Sequence, residues 1–354
     1  SSTSRGLGDV YKRQILESEN LDALVILSDY NRRYISDFTG TSGALIISNN
    51  ENKLITDFRY IEQATNQATH FEIVNRRSGI IDEIKEIIEN KQYKTVGFEG
   101  HLVSYDTFRE LSQIDTNYVS IGNAIEKIRE VKSSEEIDKI KYAAKIVDDT
   151  YNYILNIAKV GMTERELKAL LESKMLELGA DGPSFDTIVA SGYRGALPHG
   201  VASDKVIEKG DMITLDFGAY YRGYCSDITR TFAIGEPDKK LKEIYNIVLQ
   251  SQIKAIEEIK PGMTTKEADA LSRDYIKAHG YGNEFGHSLG HGIGLDIHEG
   301  PVLSKNTNDT VQVNNCVTIE PGIYVDGLGG VRIEDDILIT ENGCEVFTLS
   351  LIHI

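Results

Sequence analysis

Residues Lys159 to Gly179 (KVGMTERELKALLESKMLELG) align without a gap onto Lys260 to Gly280 (KPGMTTKEADALSRDYIKAHG), at a constant offset of 101. Eight positions are identical in register: Lys, Gly, Met, Thr, Glu, Ala, Leu and the closing Gly. In each copy a threonine, Thr163 or Thr264, is placed to cap a helix that ends at a glycine. A shared capping signature accounts for the Thr and the Glu but not for eight matches in one register. Two related helix units, each followed by strand-like sequence, predict a domain with an internal pseudo-two-fold repeat. A crevice between such halves is a natural ligand site.

Each copy is followed by a hairpin that carries acids. Met212 to Gly218 (MITLDFG) and Tyr224 to Phe232 (YCSDITRTF) read as strands joined across Tyr221-Arg222-Gly223. A turn centred between Tyr221 and Arg222 puts Asp216 opposite Asp227, with Cβ atoms about 5 Å apart in a regular antiparallel pair. Val317 to Val325 (VTIEPGIYV) and Gly330 to Ile339 (GVRIEDDILI) flank a second turn, and Glu320 and Glu334 are equidistant from Gly327. Like charges facing each other destabilise a hairpin unless something positive lies between them. One acid at a strand end is ordinarily solvated; two symmetric pairs beside apolar runs are not so easily explained that way.

Four of the eight histidines fall in two short segments: His199 in LPHG (197–200), and His287, His291 and His298 in FGHSLGHGIGLDIHEGP (285–301). The glycines of the second segment permit close backbone approach. Their spacing is not that of a phosphate-binding GxGxxG turn, and His287-x-x-x-His291 lacks the glutamate of a zinc-protease helix. Four carboxylates with one or two imidazoles and no thiolate make a hard, oxygen-rich donor set, suited to a pair of Mn²⁺, Co²⁺ or Zn²⁺ ions. Bridging carboxylates hold two ions about 3.5 to 4 Å apart, an arrangement that activates water for hydrolysis.

The remainder of the chain bounds these readings. From Ile15 to about Ile128, short β-branched runs (23–27, 44–47, 54–56, 71–74, 95–98 and 118–121) alternate with helical patterns at 59–68, 80–90 and 104–113, which predicts a layered α/β domain. Its His70 and His101 stand alone and read as ordinary surface or core residues. Ser133 or Ser134 followed by Glu135 and Glu136 marks the start of a long helix to about Ala158, so the domains are expected at 15–128 and 129–349. The ends, 1–14 and 349–354, break with the neighbouring patterns and read as non-native sequence. Of 354 residues, 38 are Lys or Arg and 55 Asp or Glu, a formal charge of −17. The first fourteen residues carry a net +2 and the last six none, so the remainder holds −19. That balance excludes a nucleic-acid clamp. Three cysteines at wide spacing (Cys225, Cys316 and Cys344) form no CxxC pair and fit a reducing cytoplasm. No apolar run reaches the roughly 20 residues of a membrane span, so no membrane partner is expected.

The motifs Leu215–Gly218 with Asp227, Gly290–Gly294 (GHGIG), Ile319–Gly322 (IEPG) and Val331–Asp335 (VRIED) resemble those of the pita-bread metallopeptidases of family M24, in the Xaa-Pro aminopeptidase and prolidase branch. The preceding domain is similar to the creatinase-type N-terminal domain of that branch. The resemblance implies an α/β N-terminal domain followed by an α+β pita-bread catalytic domain. By the same resemblance Asp216 chelates one divalent ion, Asp227 and Glu334 bridge two, and His291 and Glu320 hold the second. Catalytic roles fall to His199, His287, His298, Glu320 and Arg332: the histidines in the substrate pocket and in proton handling, Glu320 in proton transfer, and Arg332 orienting Asp216. The implied enzyme is a Xaa-Pro aminopeptidase that attacks the bond before proline with a dinuclear metal-activated hydroxide. The alternative is a Xaa-Pro dipeptidase (prolidase), and a non-catalytic peptide-binding relative is disfavoured because no ligand position is altered. Mn²⁺ is the first choice of metal. A homodimer acting on proline-containing peptides, with an N-terminal domain that restricts substrate length, is implied by analogy alone.

Overall fold

The computed structural model describes residues 12–350, and the chain divides into two compact units between Arg129 and Glu130. Residues 1–11 and 351–354, most of the two ends read as non-native, lie outside the described residues. Residues 12–14 open a helical segment, 12–18, in which Lys12 is buried.

In the first unit that segment (α1) is followed by β1 (Ala23–Ile26), α2 (Asp29–Ser36), β2 (Ala44–Ser48), β3 (Asn52–Thr56), α3 (Ile61–Gln67), β4 (Glu72–Asn75), α4 (Ile80–Lys91), β5 (Thr95–Phe98), α5 (Tyr105–Leu111), β6 (Asn117–Ser120) and α6 (Ala124–Arg129). The strands form one sheet in the order β4-β3-β2-β1-β5-β6. Only β2 runs antiparallel to its neighbours; β3–β4, β1–β5 and β5–β6 pair in parallel. Alternate residues feed two cores. Leu24, Ile26, Leu45, Ile47 and Leu54 pack on one face, and Ala23, Val25, Ala44, Ile46 and Ile55 on the other. Burial on both faces is why these strands read as continuous apolar runs.

The second unit opens with α7 (Ser134–Ile157), started by a capping box in which the Ser133 hydroxyl accepts from Glu136 N–H and the Glu136 carboxylate accepts from Ser133 N–H. It continues through α8 (Glu164–Glu177), β7 (Gly182–Pro183), β8 (Ile188–Ser191), β9 (Met212–Phe217), β10 (Ala219–Tyr221), β11 (Tyr224–Cys225) and β12 (Ile228–Ala233). The second half comprises α9 (Lys239–Glu258), α10 (Thr265–Ala278), β13 (Gly290–Gly292), β14 (Glu299–Leu303), β15 (Cys316–Ile319), β16 (Gly322–Val325), β17 (Gly329–Arg332), β18 (Asp335–Ile339) and β19 (Cys344–Val346).

The sequence repeat is a structural repeat. Thr163–Glu166 and Thr264–Glu267 form equivalent capping boxes at the starts of α8 and α10. Ahead of each box the chain clasps a later loop in the same way: Gly161 N–H donates to Ile207 O (3.0 Å) and Gly262 N–H to Val311 O (2.9 Å). Ile207 and Val311 donate back to Met162 and Met263, both at 2.8 Å. Gly161 and Gly262 hold φ at 94° and 92°, a left-handed conformation that costs glycine little and other residues more.

The two hairpins meet where the halves join. Thr229 of β12 and Glu334 form an isolated antiparallel bridge, Glu334 N–H donating to Thr229 O at 3.0 Å, and Thr231 Oγ1 donates to Arg332 O at 2.9 Å. The fully buried Arg230 ties the junction, donating to Glu334 O (2.6 Å) and to Asp335 Oδ1 (2.7 Å).

The register of the first hairpin differs from the sequence reading. Tyr221 pairs with Tyr224, so the turn is the two-residue Arg222-Gly223, with φ of 47° and 89° as a type I′ turn requires. The axis therefore lies one residue further on, and Asp216 pairs with Thr229 rather than Asp227. A change of two in the pairing partner leaves Asp227 on the face of Thr229, so the two acids remain neighbours on one face. In the second hairpin Gly322 pairs with Arg332 and Ile319 with Asp335, so Glu320 and Glu334 face each other across the break between the two ladders, as the turn geometry predicts.

Candidate metal centre

The hairpin junction gathers the acids. Asp216 lies on β9, Asp227 just ahead of β12, Glu320 between β15 and β16, and Glu334 between β17 and β18. Asp216, Asp227 and Glu334 are 8%, 4% and 1% exposed. The side chains of Asp227, Glu334 and His291 from β13 each offer a ligand atom, and these atoms lie within 4.8 Å of one another. His291 Nε2 stands 3.1 Å from Glu320 Oε1 and 3.4 Å from Asp227 Oδ2. Arg332 closes the other side, donating from Nη2 to Asp216 Oδ2 at 2.8 Å.

One oxygen on each of Asp216, Asp227 and Glu334 is buried and accepts no hydrogen bond. Burying a bare carboxylate oxygen costs several kcal/mol by order of magnitude unless a proton or a cation compensates it. Accordingly, burial first, and then the neighbouring negative charges, push the carboxyls of Asp227 and Glu334 well above the usual carboxylate range. Asp216 is raised for the same reason, with Arg332 opposing. Burial also works against Glu320, but its hydrogen bond with His291 brings it down to about 2. The same contact overcomes burial at His291 and lifts the imidazole to about 9.

The surrounding hydrogen bonds orient this set as a metal site requires. His291 Nδ1–H donates to Gly292 O at 2.9 Å, which turns Nε2 toward the carboxylates as the nitrogen that would bind a cation once its proton is released. Thr318 Oγ1 accepts from His291 N–H (3.1 Å) and donates to Glu320 Oε1 (3.0 Å). Thr229 Oγ1 donates to Glu334 Oε2 and accepts from Arg332 Nε. Asp336 Oδ2 accepts from Asp227 N–H at 2.9 Å. Gly290 is required by contact: a Cβ there would lie 1.8 Å from Thr318 O. A hard, oxygen-rich donor set with bare oxygens and a pre-oriented imidazole fits divalent cations.

The remaining histidines divide. His287 joins the site: its Nδ1–H donates to Ser288 O (2.8 Å), and its Nε2 accepts from Tyr324 OH (2.7 Å). Tyr324 in turn accepts from Arg332 Nη1 at 2.8 Å, so His287, Tyr324, Arg332 and Asp216 form one chain. Burial pushes the Tyr324 phenol up to about 12 and His287 below its ordinary value, so the phenol keeps its proton and the imidazole is neutral. His298 is exposed, with its ring 4.5 Å from that of His291 in an edge-on arrangement. His199 is exposed on the loop between β8 and β9, and no described contact joins its side chain to the carboxylates.

The sequence reading missed Tyr324, Thr229, Thr318 and Asp336. Tyr324 is three residues after the Glu-Pro of IEPG, and the threonines alternate with the acids at i±2 along their strands. That alternation was the available signal, since residues two apart share a strand face.

The model of metallopeptidase family M24 matches residues 138–341, and that of the creatinase/prolidase N-terminal domain matches residues 12–131. Among solved structures, the Xaa-Pro dipeptidase from Bacillus anthracis is 47% identical with a TM-score of 0.97, over 99% of each chain. The X-Pro aminopeptidase from Thermotoga maritima is 42% identical with a TM-score of 0.90, over 96% of this chain and 99% of its own. The Xaa-Pro dipeptidase of Pyrococcus furiosus is 43% identical over 342 residues, 95% of each sequence. The creatinase-type α/β domain and the pita-bread catalytic domain are thus shared with solved relatives, and the chain belongs to metallopeptidase family M24 as a peptide hydrolase.

Proposed function

We propose that this protein is a Xaa-Pro dipeptidase that works with two divalent ions held by Asp216, Asp227, His291, Glu320 and Glu334. The observation that carries the reading is the set of buried carboxylate oxygens without donors around a pre-oriented imidazole. Ions bound there supply the Lewis acidity that polarises the scissile carbonyl and acidifies water. The chain's own residues do the rest. Arg332 holds Asp216 in place, and Thr229 and Thr318 hold Glu334 and Glu320. Glu320 takes up the proton released from water, and His298, exposed beside His291, returns a proton to the departing prolyl nitrogen. His287, neutral and held by Tyr324, and His199 contact the substrate. A bond before proline has no N–H to recognise, so a pocket shaped for the ring replaces the usual backbone contact.

The residues alone put the aminopeptidase first, but the names carried by similar proteins favour the dipeptidase, at 47% and 43% identity against 42% for the aminopeptidase. Turnover of Gly-Pro against a longer Xaa-Pro peptide separates them: the dipeptidase cleaves the first and spares the second, and the reverse result restores the aminopeptidase. Mn²⁺ suits the oxygen-rich donors best, with Co²⁺ or Zn²⁺ as alternatives. A cytoplasmic location fits three free cysteines, two of them buried. Among the described residues no helix is long and apolar enough to cross a membrane. Family resemblance supports a homodimer, which sedimentation equilibrium tests.

A further inference from the structure

The two copies of the repeat differ at one pair of positions whose structural consequence reaches the site. In α8 these are Lys168 and Glu172; in α10, at the offset of 101, they are Asp269 and Arg273. The first pair is partly exposed and loose, with Lys168 Nζ 3.9 Å from Glu172 Oε1 and side chains 28% and 29% exposed. The second has reversed polarity and is tight: Arg273 Nε lies 2.6 Å from Asp269 Oδ2, with side chains 16% and 1% exposed.

The buried pair grips one loop. Asp269 Oδ1 accepts from Leu289 N–H at 3.0 Å. Arg273 donates from Nη1 to Phe285 O (3.0 Å) and from Nη2 to His287 O (2.7 Å), and its guanidinium lies 4.2 Å over the Phe285 ring. Backbone groups at 285, 287 and 289 are therefore bound by one bidentate ion pair on a neighbouring helix. The ring whose backbone is so fixed is the one that accepts from Tyr324 and is joined to Asp216 through three hydrogen bonds.

We propose that Asp269 and Arg273 are positioning residues: the ion pair sets the course of residues 285–289 and thereby the His287 imidazole against Tyr324. The inference rests on the reading of His287 as a pocket residue. Arg273 spends four N–H bonds on Asp269 and the two carbonyls, one more than the three donors of an ammonium can supply. A misplacement of the order of 1 Å in such a ring is worth about 100-fold in turnover.

The test is a double-mutant cycle on Gly-Pro hydrolysis with saturating Mn²⁺, using His287→Ala, Arg273→Ala and the double variant, with bound metal and melting temperature measured on each. Arg273→Ala is expected to lower kcat/KM about as much as His287→Ala, up to about 100-fold. The double variant should then lose less than about three-fold more, because coupled sites are non-additive, and bound metal should stay unchanged. Arg273→Lys, which retains the ion pair and should fold, is expected to lose several-fold. Additive losses, or wild-type kcat/KM in folded Arg273→Lys, overturn the positioning role while leaving the reading of His287 intact. Wild-type turnover in His287→Ala overturns both.

Discussion

Two of the places where the catalytic unit buries acids are built in opposite ways. At the start of α8, Glu164 is completely buried and matched: it accepts from Ser191 N–H and Oγ (both 2.7 Å), from Ser203 N–H (3.0 Å) and Oγ (2.6 Å), and from Arg194. At the hairpin junction, Asp216, Asp227 and Glu334 are nearly as buried, yet each keeps an oxygen with no donor. Burial alone does not mark a functional acid. A carboxylate whose acceptors are filled organises the fold, and a cluster whose acceptors are left open calls for a cation.

The contrast breaks most sharply at Asp227. Asp227→Asn should abolish Gly-Pro hydrolysis and remove the stabilisation that metal confers, about 2.7 kcal/mol at 100 times the dissociation constant. Without metal the same variant should melt higher than the parent, because one of the facing charges is gone. Calorimetric scans with and without Mn²⁺ read both signs, and a metal-dependent rise in melting temperature equal to that of the parent would sink the assignment.

Glu164→Ala should behave conversely. Arg194 and four other donors lose their acceptor, so denaturant unfolding should show a loss of about 3 to 5 kcal/mol. Metal stoichiometry should be unchanged.

Between these extremes lies Thr229→Val, which removes the hydroxyl that donates to Glu334. Metal affinity should fall about 10- to 100-fold, read by competition with a chromophoric chelator; unaltered affinity would mean Glu334 needs no such support. The smallest effect is expected at Tyr324→Phe. Losing its hydrogen bonds to His287 and Arg332 should cost about 1 kcal/mol in kcat/KM, roughly five-fold, with metal content intact.

Much of the molecule was legible in the sequence for the same reason that the contrast exists. The central strands of the first unit, β1 and β2, are buried on both faces and announce themselves as apolar runs, whereas α2 was overlooked because Asn31, Arg32 and Ser36 are its buried residues and no apolar periodicity marks it. There the two terminal guanidinium nitrogens of Arg32 reach Asp29 three residues back and the carbonyls of Gly40 and Gly43, and the two carbonyl contacts are ones that only the tertiary fold supplies. The repeat and the acids were visible because spacing encodes them. The first hairpin's pairing was misplaced by a single residue at its turn, since Arg222 adopts a positive φ that its identity does not suggest. The roles of Tyr324 and Arg273 depend on partners 37 and 14 residues away, beyond any local pattern.

Whether the unmatched acids form a two-ion centre is decided by stripping the protein with a chelator and titrating Mn²⁺ back, with bound metal and Gly-Pro turnover followed together. Two ions per chain are expected, with activity that returns as the sites fill. Hydrolysis that survives complete chelation, or two ions bound equally well by Asp227→Asn, would contradict it.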